Sequence, residues 1–460
     1  MKRPAIPTPH KAPFELPLSP DEFRKTITVG HGRAWIHLKA CGYRDIEDIL
    51  LYALLYSLVY DKQCEGDRGP WLMRMIDEAE AGELLYPKFI RQIQRAPAEA
   101  CSFSDHSQRA TVLGELSKRG VSGARDALDA LFLENLRAPD REFVGAFDII
   151  DVDGERGLLQ VCSALGRESL ARPAFDIEHW FTDVYDEDHG EGAAVRALTA
   201  HRDSDPGIDH FLSLMEARQA AMQPDSTGEN AQTTWTDGVL RKSAGEVIDQ
   251  IRKHSQKADW DPRGATERMW LRRWGIRASE TDLEQILRAL EESDSPVEQC
   301  LLLSAFNHRR PMPRISDPIV ALAESHDEQV RFCAYWALAN NSDPRIRAAG
   351  LRSLSPELIQ NGSLKLLQSS YRLGDHRALE GALYLPGNVE ELHTIVYDLA
   401  SICVSARDPE CLPLMLFVYE YSPSGNCRDR VVESMLKLGI APEWLQEEWR
   451  FDAMEDVDRL

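Results

Sequence analysis

Apolar residues recur along almost the whole chain three or four positions apart, the spacing of helices, and nowhere in sustained alternation. The segment DIEDILLYALLYSLVYD puts Ile46, Ile49, Leu50, Ala53, Leu54 and Leu58 on one helical face. Leu51, Leu55, Tyr56 and Val59 make the opposite side apolar too, so this helix must sit between neighbours. The stretch 21–40 also reads as helix, although Gly30 and Gly32 weaken its middle. Further helices are predicted at 71–80, 84–94, 109–119 and 123–136, the last two stopped by Gly120 and Pro139. GAFDIIDVDGERG carries the one hint of strand and reads as a short irregular crossing before a helix over 155–167. Helices then follow at 177–185, 193–200 and 208–222.

The pattern divides the chain into a proline-rich arm over 1–20, a helical region over 21–222, a polar linker or loop over 223–234, and a second helical region over 235–460. The polar string is QPDSTGENAQTT, which has no hydrophobic anchor. Prolines in the first segment rule out the continuous apolar stretch of a signal peptide. The longest apolar run, 49–60, is about half of the ~20 residues that cross a bilayer, so no membrane span is expected. In the second region helices are predicted at 236–254, 266–277, 281–292, 297–307 and 317–324.

The most informative passage is DEQVRFCAYWALANNSDPRIRAAGLRSL. Val330, Cys333, Ala334, Ala337 and Leu338 fill the template of one buried helical face. After Asp343-Pro344 the next helix repeats it, with Ile346, Arg347, Ala349, Gly350 and Leu354 matching Val330, Arg331, Cys333, Ala334 and Leu338. Weaker echoes lie at Ala124, Arg125, Leu128 and Leu131 and at Cys427, Arg428, Val431, Val432, Met435 and Leu436. This passage resembles the HEAT-repeat pattern, most clearly over 296–439. The resemblance implies an all-α fold, a right-handed superhelical solenoid of antiparallel helix pairs, with an irregular N-terminal helical part. In such an array each pair hides its apolar face on the next, and extended partners bind the concave side.

Charge and chemistry narrow the function further. A net charge of −22 repels phosphate backbones and favours a basic protein partner over nucleic acid. Nine scattered cysteines without a C-x-x-C pair fit neither a disulfide framework nor a zinc pattern, and reduced thiols in the cytoplasm are the simplest account. No phosphate-binding loop, nucleophile elbow, H-E-x-x-H or dinucleotide fingerprint occurs in a usable setting, so no catalytic residue, cofactor or metal site is assigned. The string Asp151-Val152-Asp153-Gly154 begins like a calcium loop, but register puts Ile149 and Gln160 at the two outer ligand positions and rejects it. Cys64 would be a reactive thiol if Arg68 lowered its pKa; the simpler reading pairs Arg68 with an acid.

The local exception to the acidic balance is WDPRGATERMWLRRWGIR, with five arginines and three tryptophans. Arginines interleaved with aromatics suit stacking on bases and also suit protein interfaces. Trp260, Arg268, Trp270, Arg272, Arg273, Trp274 and Arg277 are therefore the candidate partner-binding residues. The expected function is a non-catalytic scaffold binding a protein on its concave face. Alternatives are a nucleic-acid enzyme resembling the HEAT-like alkylpurine DNA glycosylases and a HEAT-like bilin lyase. The C-terminal segment PEWLQEEWRFDAMEDVDRL is expected to form an acidic, solvated capping helix.

Overall fold

The computed structural model describes residues 4–95, 101–138, 143–172, 175, 180–222, 242–255, 265–306 and 310–453. Among these there are 25 α-helices and no strand, so the protein is all-α. No helix is long and apolar enough to cross a membrane among the described residues. The chain packs as two units. One, the N-terminal unit, comprises Phe14–Gly228 with Glu447–Leu460; the other, the C-terminal unit, comprises Glu229–Gln446 with Met1–Pro13. The chain passes from one to the other three times, after Pro13, Gly228 and Gln446.

The N-terminal unit opens with α1 (Pro20–Val29), α2 (Arg33–Cys41), α3 (Glu47–Leu55), α4 (Gly69–Glu78), α5 (Gly82–Ile93) and α6 (Phe103–Lys118). It continues with α7 (Ala124–Asn135), α8 (Ala146–Asp153), α9 (Glu155–Ala171), α10 (Trp180–His189), α11 (Ala193–His201) and α12 (Pro206–Met222). Odd helices α1, α3, α5 and α7 pack in succession, and so do even helices α2, α4, α6, α8 and α10. The pattern gives way at α9, which packs lengthwise on α12. Gly166 and Gly207 make that approach possible, since a Cβ on Gly166 would lie 1.9 Å from the Gly207 carbonyl oxygen.

Three sequence expectations in this unit change. The helix expected over 21–40 is two helices, because Gly30 adopts φ +86° and donates its N–H to the Thr26 carbonyl, closing α1. The stretch read as an irregular crossing is the helix α8. Ala146, Ile149 and Ile150 are its buried face, and glycines in positive φ, Gly145 and Gly154, bound it. Its aspartates suggested a break, yet neighbouring helices supply cations to two of them, Lys118 of α6 to Asp151 and Arg125 of α7 to Asp153. The all-round apolar α3 buries six residues but leaves Tyr52 55% exposed.

The C-terminal unit contains α13 (Ala244–Ser255), α14 (Ala265–Arg277), α15 (Glu280–Glu292), α16 (Pro296–Ser304), α17 (Asp317–Ala321), α18 (Glu328–Leu338) and α19 (Pro344–Arg352). Then come α20 (Pro356–Gln360), a 3₁₀ turn at Ser363–Leu367, α21 (His376–Ala382), α22 (Val389–Ala406), α23 (Leu412–Tyr421) and α24 (Gly425–Leu438). The last helix, α25 (Glu443–Trp449), contains the third crossing between units. Alternation is again the rule: α13, α15, α17 and α19 pack in succession, while α14, α16, α18, the 3₁₀ turn, α22 and α24 form a second series. Val330, Cys333, Ala334, Ala337 and Leu338 are all buried, as are Ile346, Ala349 and Gly350. Asp327 and Asp343 cap their helices, each accepting backbone N–H groups of the first turn. In the arm, the Ala5 carbonyl accepts from the Tyr421 hydroxyl at 2.9 Å and the Thr8 carbonyl from Trp444 Nε1 at 3.3 Å.

Candidate functional site

Helix α14 has a sharp division between its sides. Trp270, Leu271 and Trp274 are buried, and Trp274 Nε1 donates to the Lys242 carbonyl at 2.9 Å. Gly275 lies so close to the end of α16 that a Cβ there would meet the Ala305 carbonyl oxygen at 1.9 Å. The two tryptophans expected on the binding face are thus core residues: at helical spacing they fall on the side that packs, opposite the arginines. The outer arc carries Arg268, Arg272, Arg273 and Arg277 with Met269 and Ile276, the last two about half exposed. Arg272, Arg273 and Arg277 make no ion pair among the described residues. Trp260 lies outside the described residues.

Arg268 begins a feature that the sequence alone did not reveal. Its guanidinium sits 5.5 Å from the centre of the Phe332 ring, and Phe332 meets Trp336 edge-on. Lys365 Nζ lies 4.0 Å from the Trp336 ring centre and 5.4 Å from that of Tyr397, which Arg430 approaches at 5.5 Å. Cations and aromatic faces therefore alternate across α14, α18, the 3₁₀ turn, α22 and α24, every one a member of the second series. Beneath them Lys365 is paired with buried Asp398, whose carboxyl burial pushes up to about 6 against the pull of that ammonium. The available signal was local: Phe332 and Trp336 are large aromatics, four apart, on positions the buried-face template leaves out.

Two thiol clusters bear on catalysis. Cys64 is exposed, but a hydrogen bond with Asp61 and the charge of that carboxylate raise its pKa, which suppresses the nucleophilic thiolate. Arg68 is occupied elsewhere, donating to the Thr28 and Val29 carbonyls at the end of α1 and lying 3.4 Å from Glu65. The Cys411 thiol donates to the Tyr371 hydroxyl, which donates to Asp408, with His376 3.9 Å from that carboxylate. Cys411, Asp408 and His376 are all buried, while Tyr371 between them is partly exposed.

In the N-terminal unit, Glu448 and Asp452, expected on a solvated cap, are buried instead. Arg33 forks Glu448 through Nε at 2.6 Å and Nη2 at 3.3 Å, and the Gly32 N–H donates to Asp452 at 2.6 Å. His31 Nδ1 lies 3.5 Å from Glu448, and the ligand-capable atoms of His31, Glu448 and Asp452 all fall within 4.8 Å of one another. No family model matches the chain, and comparison with curated proteins and with solved structures likewise found no match.

Proposed function

We propose that the protein is a non-catalytic helical-repeat scaffold, and that its C-terminal unit is a HEAT-like, right-handed solenoid whose second helix series presents the partner-binding face. The observation that carries this reading is the cation–aromatic chain from Arg268 to Arg430. It links five elements remote in sequence, with the partly exposed Arg268, Phe332, Trp336, Tyr397 and Arg430 gathered around buried Lys365, and a run of this kind along stacked helix pairs suits an extended binding face. Aromatic and arginine side chains are also the groups that anchor protein interfaces. The overall charge of −22 favoured a basic partner, but the local chemistry supports an acidic segment. Arg272, Arg273 and Arg277 offer guanidiniums beside the exposed apolar groups of Met269 and Ile276.

Exposed arginines on one arc also keep a nucleic-acid reading alive, as a HEAT-like enzyme acting on bases. Burial of Trp270 and Trp274 counts against it, because neither ring can stack on a base. One experiment separates the readings. Wild type and R272E/R273E are compared by quantitative affinity capture and by mobility shift of a labelled duplex at low salt. A stoichiometric acidic protein that the variant loses, with no duplex shift, supports the scaffold. A salt-sensitive duplex shift abolished in the variant would replace it with the nucleic-acid reading.

A further inference from the structure

We propose that Tyr421 of α23 and Trp444 of α25 belong to a recognition site for a basic Pro-x-x-Pro segment of another protein, which residues 4–8 of the arm occupy as an internal competitor. The arm, Tyr421 and Trp444 all lie in the C-terminal unit. The Tyr421 hydroxyl donates to the Ala5 carbonyl at 2.9 Å, and Trp444 Nε1 donates to the Thr8 carbonyl at 3.3 Å. Those carbonyls are three residues apart, as are Pro4 and Pro7, and three residues make one turn of a polyproline helix. Pro7 is buried, Pro4 and Ile6 are half-buried, and Ala5 and Thr8 are exposed.

The two donors suit this class of ligand. Proline has no N–H, so a proline-rich backbone presents carbonyls in excess of its own donors and pairs with side chains that donate. Tyrosine and tryptophan do so while offering a flat apolar surface to pyrrolidine rings. Each of the two packs on a fully buried ring: Phe417 lies 5.0 Å from Tyr421, and Tyr419 meets Trp444 edge-on at 6.4 Å, centre to centre. That support limits the ordering cost of binding.

Charge selects the flanks. KRPAIPTPHK places Lys2, Arg3 and Lys11 around the prolines, with no acid before Glu15, in a chain of net charge −22. Burial and then the neighbouring Glu420 carboxylate raise the Tyr421 pKa, so a basic flank complements the site as well as the whole chain. The arm is a modest ligand. Its bond from Trp444 is longer than the usual value of about 2.9–3.0 Å, and the Thr8 carbonyl is shared with the Lys11 N–H at 3.5 Å. A partner segment that satisfies both donors fully displaces it. The arm of a second copy brings no contact that the resident arm lacks, and it competes against a tethered neighbour.

The test uses the full-length protein and a fluorescein-labelled peptide of residues 2–11, read by anisotropy. Wild type should bind it weakly, because the arm holds the site. The double variant Pro4→Ala with Pro7→Ala, which loosens the arm, should bind it about tenfold more tightly. In that background Tyr421→Phe and Trp444→Phe should each weaken binding about fivefold. A peptide with alanine at both proline positions should not bind, and circular dichroism confirms folding throughout. A folded double variant that ignores the peptide, or takes the alanine peptide equally well, would overturn the proposal. So would a wild-type dimer in sedimentation that the double variant abolishes, since a second copy's arm would then be the occupant. Should the double variant not fold, a benzophenone in place of Ile6 of the peptide decides on wild type. At millimolar peptide a crosslink within α23 or α25 supports the site, and its absence overturns it.

Discussion

Lys365 and Asp398 form a buried ion pair that does more than neutralise itself. The ammonium lies against Trp336 and Tyr397, and Asp398 is 2% exposed with its Oδ2 lacking a hydrogen-bond partner among the described residues. Removing one member leaves the other charge buried alone, so D398A should destabilise the C-terminal unit by about 3–5 kcal/mol. The joint change K365M/D398L should recover most of that loss, and a double-mutant cycle by urea unfolding measures both. The pH sign follows from burial. Asp398 in the folded chain titrates near 6, above its ordinary 3.8. The native state therefore binds the extra proton between those values, and this group's contribution to stability falls as pH rises from about 4 to 6, then levels off. D398N should lack that decline.

At the scale of elements, glycines in helices separate packing from propensity. A methyl group on Gly275 would strike the Ala305 carbonyl, so G275A should cost about 2 kcal/mol or more and disturb the seating of α14. Gly245, in α13, has open space around it, and G245A should gain about 0.5 kcal/mol. Chemical denaturation of the two variants side by side checks the contrast. Helix positions were largely legible in sequence because period and caps agree, as at Asp327 and Asp343. The α8 helix was not, because eight residues with three aspartates offer one turn of apolar contact, and only α6 and α9 make that enough. Arg268, Arg272, Arg273 and Arg277 were identified as cationic candidates, while the paired tryptophans were misplaced. Composition names the residues of an amphipathic helix but not which side its neighbours cover. Phe332, Trp336, Tyr397 and Arg430 are brought together with Arg268 and Lys365 only through long-range packing, which no local window contains.

For the whole molecule, the three crossings of the chain matter most. Residues 447–453 supply the N-terminal unit with Glu448 for Arg33, Asp452 for the Gly32 amide, and the Phe451 carbonyl, which Trp71 Nε1 reaches at 2.8 Å. Truncation after Gln446 should therefore lower the melting temperature of that unit by about 10 °C, through joint loss of the buried Arg33–Glu448 pair and the contacts to Asp452 and Phe451. Adding a synthetic peptide of residues 443–453 should restore it, as read by calorimetry. Arg33 and Glu448 are 415 positions apart. At about 5–20 residues per second, a ribosome delivers the second some 20–80 s after the first. Throughout that interval the nascent N-terminal unit lacks the Glu448 carboxylate that Arg33 grips, so this pair closes only after the segment around 448 has been made.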